Sequence, residues 1–400
     1  MFFSATTPPR MVTLVLLTAL SVLSLNMFLP SLSNMAADFE IDYSLMTLSI
    51  AGYLGITAIL MLVMGPLSDR FGRRPVLLVA LIVFTLSSLV CALATDIWLF
   101  LIFRVCQGSI ISGWALSLAV IRDTSPPQEA ASKIGYVTMA MALAPMLGPM
   151  FGGLLDEFFG WRASFLAYTG FGVIALLLCW FDLGETNTAR SETFAQQFRG
   201  YPDLIRSRRY WGYAVCQAFS TGSFYTFLAG APLVAIALMG LTPAALGFYM
   251  GTITAGYMLG SFLSGRYARK YSLTTMMICG RIVANAGVLL ALLLVFAGHL
   301  QVITLFGSLV FIGLGNGLTM PSCSAGLLSV RPTLAGSSAG MAGGLTIGGG
   351  AVLTSVTGAL VTEETGAYGL LLMLLFCTVM SLLAAMTVRA IDMRESLADK

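Results

Sequence analysis

The sequence predicts an all-α polytopic membrane protein, with twelve transmembrane helices in two pseudo-symmetric six-helix bundles. Three observations carry that expectation. Of 400 residues, 58% are hydrophobic and only 10% charged, whereas a soluble globular chain carries about 25% charge. The apolar residues run in continuous stretches that match helical spans of roughly 20 residues, not in the alternating pattern of a barrel strand. The Lys and Arg residues fall almost wholly on one side of the implied membrane.

Apolar windows place spans near residues 11–33, 46–66, 75–94, 97–120, 133–155, 163–183, 211–238, 244–264, 274–297, 301–328, 334–360 and 367–389. Helices are the form in which each span satisfies its own backbone hydrogen bonds in hydrocarbon. The first follows a lone Arg10, exceeds a secretory h-region and has no small-x-small site after it, so it reads as a retained span. With the N-terminus cytoplasmic, inner segments hold 18 of the 21 Lys and Arg residues. Arg162 alone lies in an outer loop, and Arg104 and Arg281 lie within spans. Outer segments instead carry acids: Asp38, Glu40, Asp42, Asp96, Asp156, Glu157, Glu363 and Glu364. Both termini are therefore expected in the cytoplasm.

The polar segment 184–210 separates an N-terminal bundle, 1–183, from a C-terminal one, 211–400. Leu67, Ser68, Arg70, Arg73 and Arg74 are echoed 196 residues later by Leu263, Ser264, Arg266, Arg269 and Lys270. Related halves imply a midplane substrate site that opens alternately to each side. The seven cysteines all fall within apolar stretches with no CxxC pair. They are expected as packing thiols, with neither a disulfide framework nor a metal site. A scattered net charge of +3 suggests no nucleic-acid partner. His299, the sole histidine, is expected solvated in an outer loop. No P-loop, HExxH or GxSxG string occurs, so neither an enzyme nor an ATP-driven pump is expected.

GPLSDRFGRR, Gly65 to Arg74, is the most specific string. Asp69 with Arg70, Arg73 and Arg74, and Gly65 and Gly72 for close backbone approach, suit a tight inner loop acting as a conformational latch. The plain alternative is a positive-inside anchor. In span four, Arg104 lies seven residues inside the outer boundary, roughly 10 Å deep. A guanidinium there needs a partner, a substrate or water, unless it snorkels outward. Span five carries APMLGPMFGG, in which Pro145, Gly148, Pro149, Gly152 and Gly153 predict a bent, closely packed helix.

The loop string resembles the signature of the major facilitator superfamily, and the two halves agree with that fold. The resemblance implies that Arg73 meets Asp123 at the inner end of span four, with Asp69 meeting a C-domain helix. The segment LIFRVCQG, Leu101 to Gly108, resembles the span-four motif of proton-driven drug exporters, which implies a part for Arg104 in proton transfer. The span-five run resembles the GPxxGG signature of exporters. With NMFLPSL at Asn26 to Leu32, FYTFLAGAPLV at Phe224 to Val234 and GLGNGLTMP at Gly313 to Pro321, the likeness narrows to the bicyclomycin-resistance (Bcr/CflA) exporters. It implies a multi-pass protein of the bacterial inner membrane.

This chain departs from that family at Asn26, where a carboxylate is usual. No acid lies at the middle of a span, so proton coupling would fall to Arg104, Asp38, Asp69 or Asp123, or to the cargo's own titration. Without a buried counter-ion, neutral, zwitterionic or anionic cargo is expected over lipophilic cations. Candidate cavity walls are Asn26, Tyr53, Gln107, Trp114, Tyr136, Gln217, Phe224, Tyr225, Phe227, Tyr249, Tyr257 and Asn316, whose rings and amides suit a mid-sized organic molecule and equally suit helix packing. The expected function is a monomeric secondary exporter of drug-like or metabolite molecules, with no cofactor and with the proton gradient as driving force. The alternatives are an importer or facilitator of a metabolite such as a nucleobase, and a non-transporting transceptor or scaffold.

Overall fold

The computed structural model describes residues 9–125, 127–187, 204–267, 270–331, 335–362 and 364–398. Most of the expected linker, and Arg269 of the echoed motif, lie outside the described residues. Helices dominate throughout, and no strand occurs among the described residues. Ten stretches there are long and apolar enough to cross a membrane. Expected spans five and eight are helices of 33 and 25 residues.

The chain divides into two compact units: Met1–Phe194 with Thr242–Gly247, and Ala195–Leu241 with Phe248–Lys400. In the first, α1 (Met11–Asn26) and α2 (Leu32–Asp38) form span one. Then come α3 (Tyr43–Phe71), α4 (Arg73–Leu93), α5 (Ile97–Cys106), α6 (Ile111–Thr124), α7 (Pro127–Phe159) and α8 (Arg162–Asp182). In the second unit are α9 (Arg208–Pro232), α10 (Pro243–Tyr267) from Phe248 onward, α11 (Leu273–Phe296), α12 (Val302–Val330), α13 (Ala335–Leu360) and α14 (Gly366–Ala398).

Three spans are not continuous α-helices. Span one passes through a 3-10 turn at Leu29–Ser31, where Pro30 removes a backbone donor. Span four tightens into a 3-10 turn at Gln107–Ile110. Span seven loosens into a π-helical stretch, Leu233–Leu238, directly after Pro232. Such interruptions are tolerated at membrane depth only where the protein itself covers the backbone. Leu29, Pro30, Gln107, Ile110 and Val234 are all fully or nearly fully buried.

One end of the first unit is held by rings. Phe165 packs edge-on against Phe100, Trp161 and Tyr168 at centroid distances of 5.3, 5.8 and 5.6 Å. The second unit centres on Tyr210, Tyr213, Cys216, Met277, Cys323, Ala385 and Val388. Large apolar side chains face outward, including Phe296, Ile303 and Phe159 at 84%, 77% and 75% exposure, a surface that lipid accepts and water does not. Cys106 and Cys279 also lie on that surface. The expectation of seven packed thiols is corrected there: these two sit on outward helix faces.

Candidate functional site

The loop motif is mostly not a loop. Residues through Phe71 complete α3 and Arg73 begins α4, so a single residue joins the helices. That residue is Gly72, at φ +101, a conformation L side chains rarely adopt. The tight-loop expectation is thereby corrected to a one-residue helical join. Its polar groups converge on Arg73, whose Nε lies 3.1 Å from Asp123 Oδ2 and whose guanidinium also pairs with Asp69 one turn back. The Arg73–Asp123 pair implied by the resemblance is thus present. Asp69 faces Arg73 in this structure.

Glu185 completes the cluster, and the sequence reading did not single it out. Its carboxylate accepts from the backbone N–H of Arg73 at 2.9 Å and of Arg74 at 3.4 Å. An acid on those first helical donors is favoured by the positive end of the helix dipole. Asn187 donates to the Asp69 carbonyl at 2.8 Å. Arg74 donates to the Trp180 carbonyl and lies 5.5 Å from the Trp180 ring centroid. Arg70 is exposed over Phe71. Gly65 sits within α3, its surroundings outside the described residues.

Arg104 ends α5 beside the 3-10 turn and is fully buried. It does not snorkel. Nη1 donates to Gln107 Oε1 at 2.6 Å and Nη2 to the Ser24 carbonyl at 2.8 Å. Gln107 in turn donates to Ser88 at 2.7 Å. The guanidinium lies 4.2 Å from the Phe28 ring centroid and 4.4 Å from that of Tyr53, where the electron-rich faces partly replace a counter-ion. No carboxylate pairs with it among the described residues, and Nε has no hydrogen-bond partner there. Nearby, Asn26 donates to the Val22 carbonyl while its own buried Oδ1 receives nothing.

A second guanidinium mirrors this chemistry in the other unit. Arg281, fully buried on α11, donates to Thr319 at 2.9 Å and to Asn316 Oδ1 at 2.8 Å. Its Nη1 lacks a partner, and no acid pairs with it among the described residues. The signal was available, since a charge inside an apolar span marks function by default.

Of the remaining candidates, Asn26, Tyr53, Gln107, Tyr225 and Asn316 are buried. Trp114, Gln217, Phe224, Tyr249 and Tyr257 are partly exposed. Phe227 is fully buried edge-on against Phe306, on which Tyr249 stacks at 5.3 Å; Phe227 is a packing position. The side chain of Tyr136 lies outside the described residues. Asp38 is tied at the outer end to Arg162 at 2.6 Å and Trp161 at 3.1 Å.

In span five, Pro145 and Pro149 lie within an unbroken α7. Gly148 and Gly152 face span one: a Cβ on Gly152 would stand 1.4 Å from the Met27 carbonyl oxygen, and one on Gly148 3.4 Å from Asn26 Cβ. Asp156, one turn further on, is 6% exposed and accepts from Asn34 at 2.7 Å. The sequence placed it among the outer-segment acids without indicating burial; α7 extends past the apolar window and brings it against Asn34.

Residues 14–354 match the Major Facilitator Superfamily. The chain belongs to that superfamily. This superfamily member is 29% identical over 352 residues to an uncharacterized MFS-type transporter, YdgK, of Bacillus subtilis, covering 86% of this chain and 87% of that protein. It is 25% identical to a bicyclomycin resistance protein homolog of Haemophilus influenzae, covering 93% and 94% of the two chains. It is 30% identical to a chloramphenicol resistance protein of Pseudomonas aeruginosa, over 70% and 67%. Among solved structures, a bacterial homolog to the human lysosomal transporter Spinster, inward-facing and occupied, superimposes with a TM-score of 0.75 at 14% identity, covering 96% and 97%. The nucleoside transporter NupG gives 0.74 at 14%, covering 95% and 99%. The facilitator fold is common to all of these, and family membership indicates a transporter, not an enzyme.

Proposed function

We propose that this transporter is a secondary active exporter of drug-like or metabolite molecules, working by alternating access with proton antiport. It acts as a monomer in the bacterial inner membrane with both termini cytoplasmic, and prefers neutral, zwitterionic or anionic cargo. The observation that carries the cargo class is Arg104: a buried guanidinium held by an amide, a carbonyl and two rings, with no carboxylate paired to it among the described residues. A desolvated cation of this kind attracts an anionic or strongly dipolar group and repels another cation. Arg281 repeats the sign in the second unit. Export is supported by the named resistance proteins among its relatives and by the GPxxGG run of span five.

The latch follows from Arg73. Its ion pairs with Asp69 and Asp123, capped by Glu185, stabilise one conformation of the inner ends of spans two, three and four, and breaking them releases the other. Uptake or facilitated diffusion of a metabolite is the second reading, favoured by the untitratable Asn26.

The test is growth inhibition across a compound panel in an efflux-deficient bacterial host, comparing the parent chain with Asp69→Asn and Arg104→Ala at verified expression. Protection by the parent alone against neutral or anionic compounds is expected. Protection against quaternary ammonium dyes would overturn the cargo class. Greater toxicity on expression would move uptake to the front.

A further inference from the structure

We infer that Asp156 is the proton-binding residue of the first unit, placed on the seam between spans one and five where Asn26 supplies no titratable group. The inference rests on the antiport reading above and supplies the acid that reading lacks.

Three positions on one face of α7, spaced a turn apart, form the seam. Gly148 lies against Leu23, Asn26 and Met27, and Gly152 lies directly on the Met27 carbonyl. Asp156 lies against Asn34, just beyond the 3-10 turn. The broken segment of span one is therefore clamped by two bare glycines and ended by a carboxyl. Among the described acids Asp156 alone is buried, and no cation pairs with it there.

Its hydrogen-bond partner is neutral: the Asn34 amide at 2.7 Å. Charged groups of adjoining segments are otherwise engaged or outward. Glu157 on α7 is exposed, and Arg162 of α8 is paired with Asp38 of α2. Asp156 lies just beyond the apolar window of span five, on the side bearing the outer acids. The sign follows from linkage: the clamped arrangement binds a proton more tightly than one in which the carboxyl is wetted. Acid on that side favours the clamped arrangement, and raising the pH disfavours it. Proton gain and loss at the carboxyl is the whole chemical step.

The test is a pH titration by infrared difference spectroscopy on the full chain in liposomes, for the parent, Asp156→Asn and Asn34→Ala. The parent is expected to show the carbonyl stretch of a protonated carboxyl persisting above the ordinary carboxylate range, and Asp156→Asn to lose it. Asn34→Ala, which removes a donor to the ionised form, is expected to move the midpoint upward. A band unchanged in Asp156→Asn, or none in the parent, overturns the inference.

The same liposomes under an imposed pH gradient, with chloramphenicol as probe, test coupling. Gradient-driven transport present in the parent and lost in Asp156→Asn supports the inference. Gradient-driven transport retained in full by Asp156→Asn overturns it. A parent that moves the probe indifferently to the gradient overturns the antiport reading, while the infrared result still decides whether Asp156 binds the proton.

Discussion

Arg104 is held by shape as much as by charge. Its planar fork reaches Gln107 and Ser24 while lying over Phe28 and Tyr53, and an ammonium cannot satisfy both demands. Arg104→Lys is therefore expected to lose protection in the growth assay even though the charge is kept. Arg104→Met leaves the buried Gln107 Oε1 and Ser24 carbonyl without their donor, at about 1–3 kcal/mol for an unsatisfied buried group, and is expected to melt lower in detergent and to lose protection. Protection retained by the Met variant would make Arg104 a purely structural residue. The importance of Arg104 was legible in the sequence because a lone charge in LIFRVCQG breaks an apolar run. Its ring partners were not, since Phe28 and Tyr53 come from other spans. The burial of Asp156 was not legible because hydropathy ends span five before it, and only the length of α7 brings it to Asn34.

The helices depend on a few positions where backbone meets backbone. A methyl at Gly152 would overlap the Met27 carbonyl, so Gly152→Ala must force α1 and α7 apart. Overpacking costs about 1–3 kcal/mol where neighbours can shift, and a backbone oxygen shifts little. Gly152→Ala is expected to lower the detergent melting temperature or prevent accumulation; melting equal to the parent would contradict the close approach. Glu185→Ala removes the acid from the first donors of α4 and is expected to cost about 0.5–1 kcal/mol, read by denaturant unfolding. Spans were readable from continuous apolar runs, but the breaks beside Pro30 and Pro232 were not drawn from the sequence. Glu185 was assigned to the linker because nothing in LGET announces that these residues fold back onto Gly72.

Across the whole molecule, the expected topology gathers 18 of the 21 Lys and Arg residues on the inner side. Orientation can be checked in a cysteine-free background. His299→Cys, exposed between α11 and α12, is expected to react with an impermeant maleimide added outside intact cells. Lys270→Cys, exposed between α10 and α11, is expected to react only after permeabilisation; the reverse pattern would invert the topology. The two-unit division followed in outline from the polar middle segment and the echo at 196 residues. The echo did not foretell that the joins differ. Gly72 alone links α3 to α4, whereas several residues separate Tyr267 from Leu273, with Ser272 capping the second helix.

That single-residue join also constrains how the chain is made. One residue spans at most about 3.6 Å, so α3 and α4 have no slack with which to enter the bilayer one after the other. Arg70, Arg73 and Arg74 hold the bend on the basic side, and the two apolar arms must leave the insertion machinery together, as a preformed hairpin. A short flexible insert after Gly72 would uncouple their entry and let α3 be captured alone, visible as a kinetic intermediate in timed membrane-insertion assays.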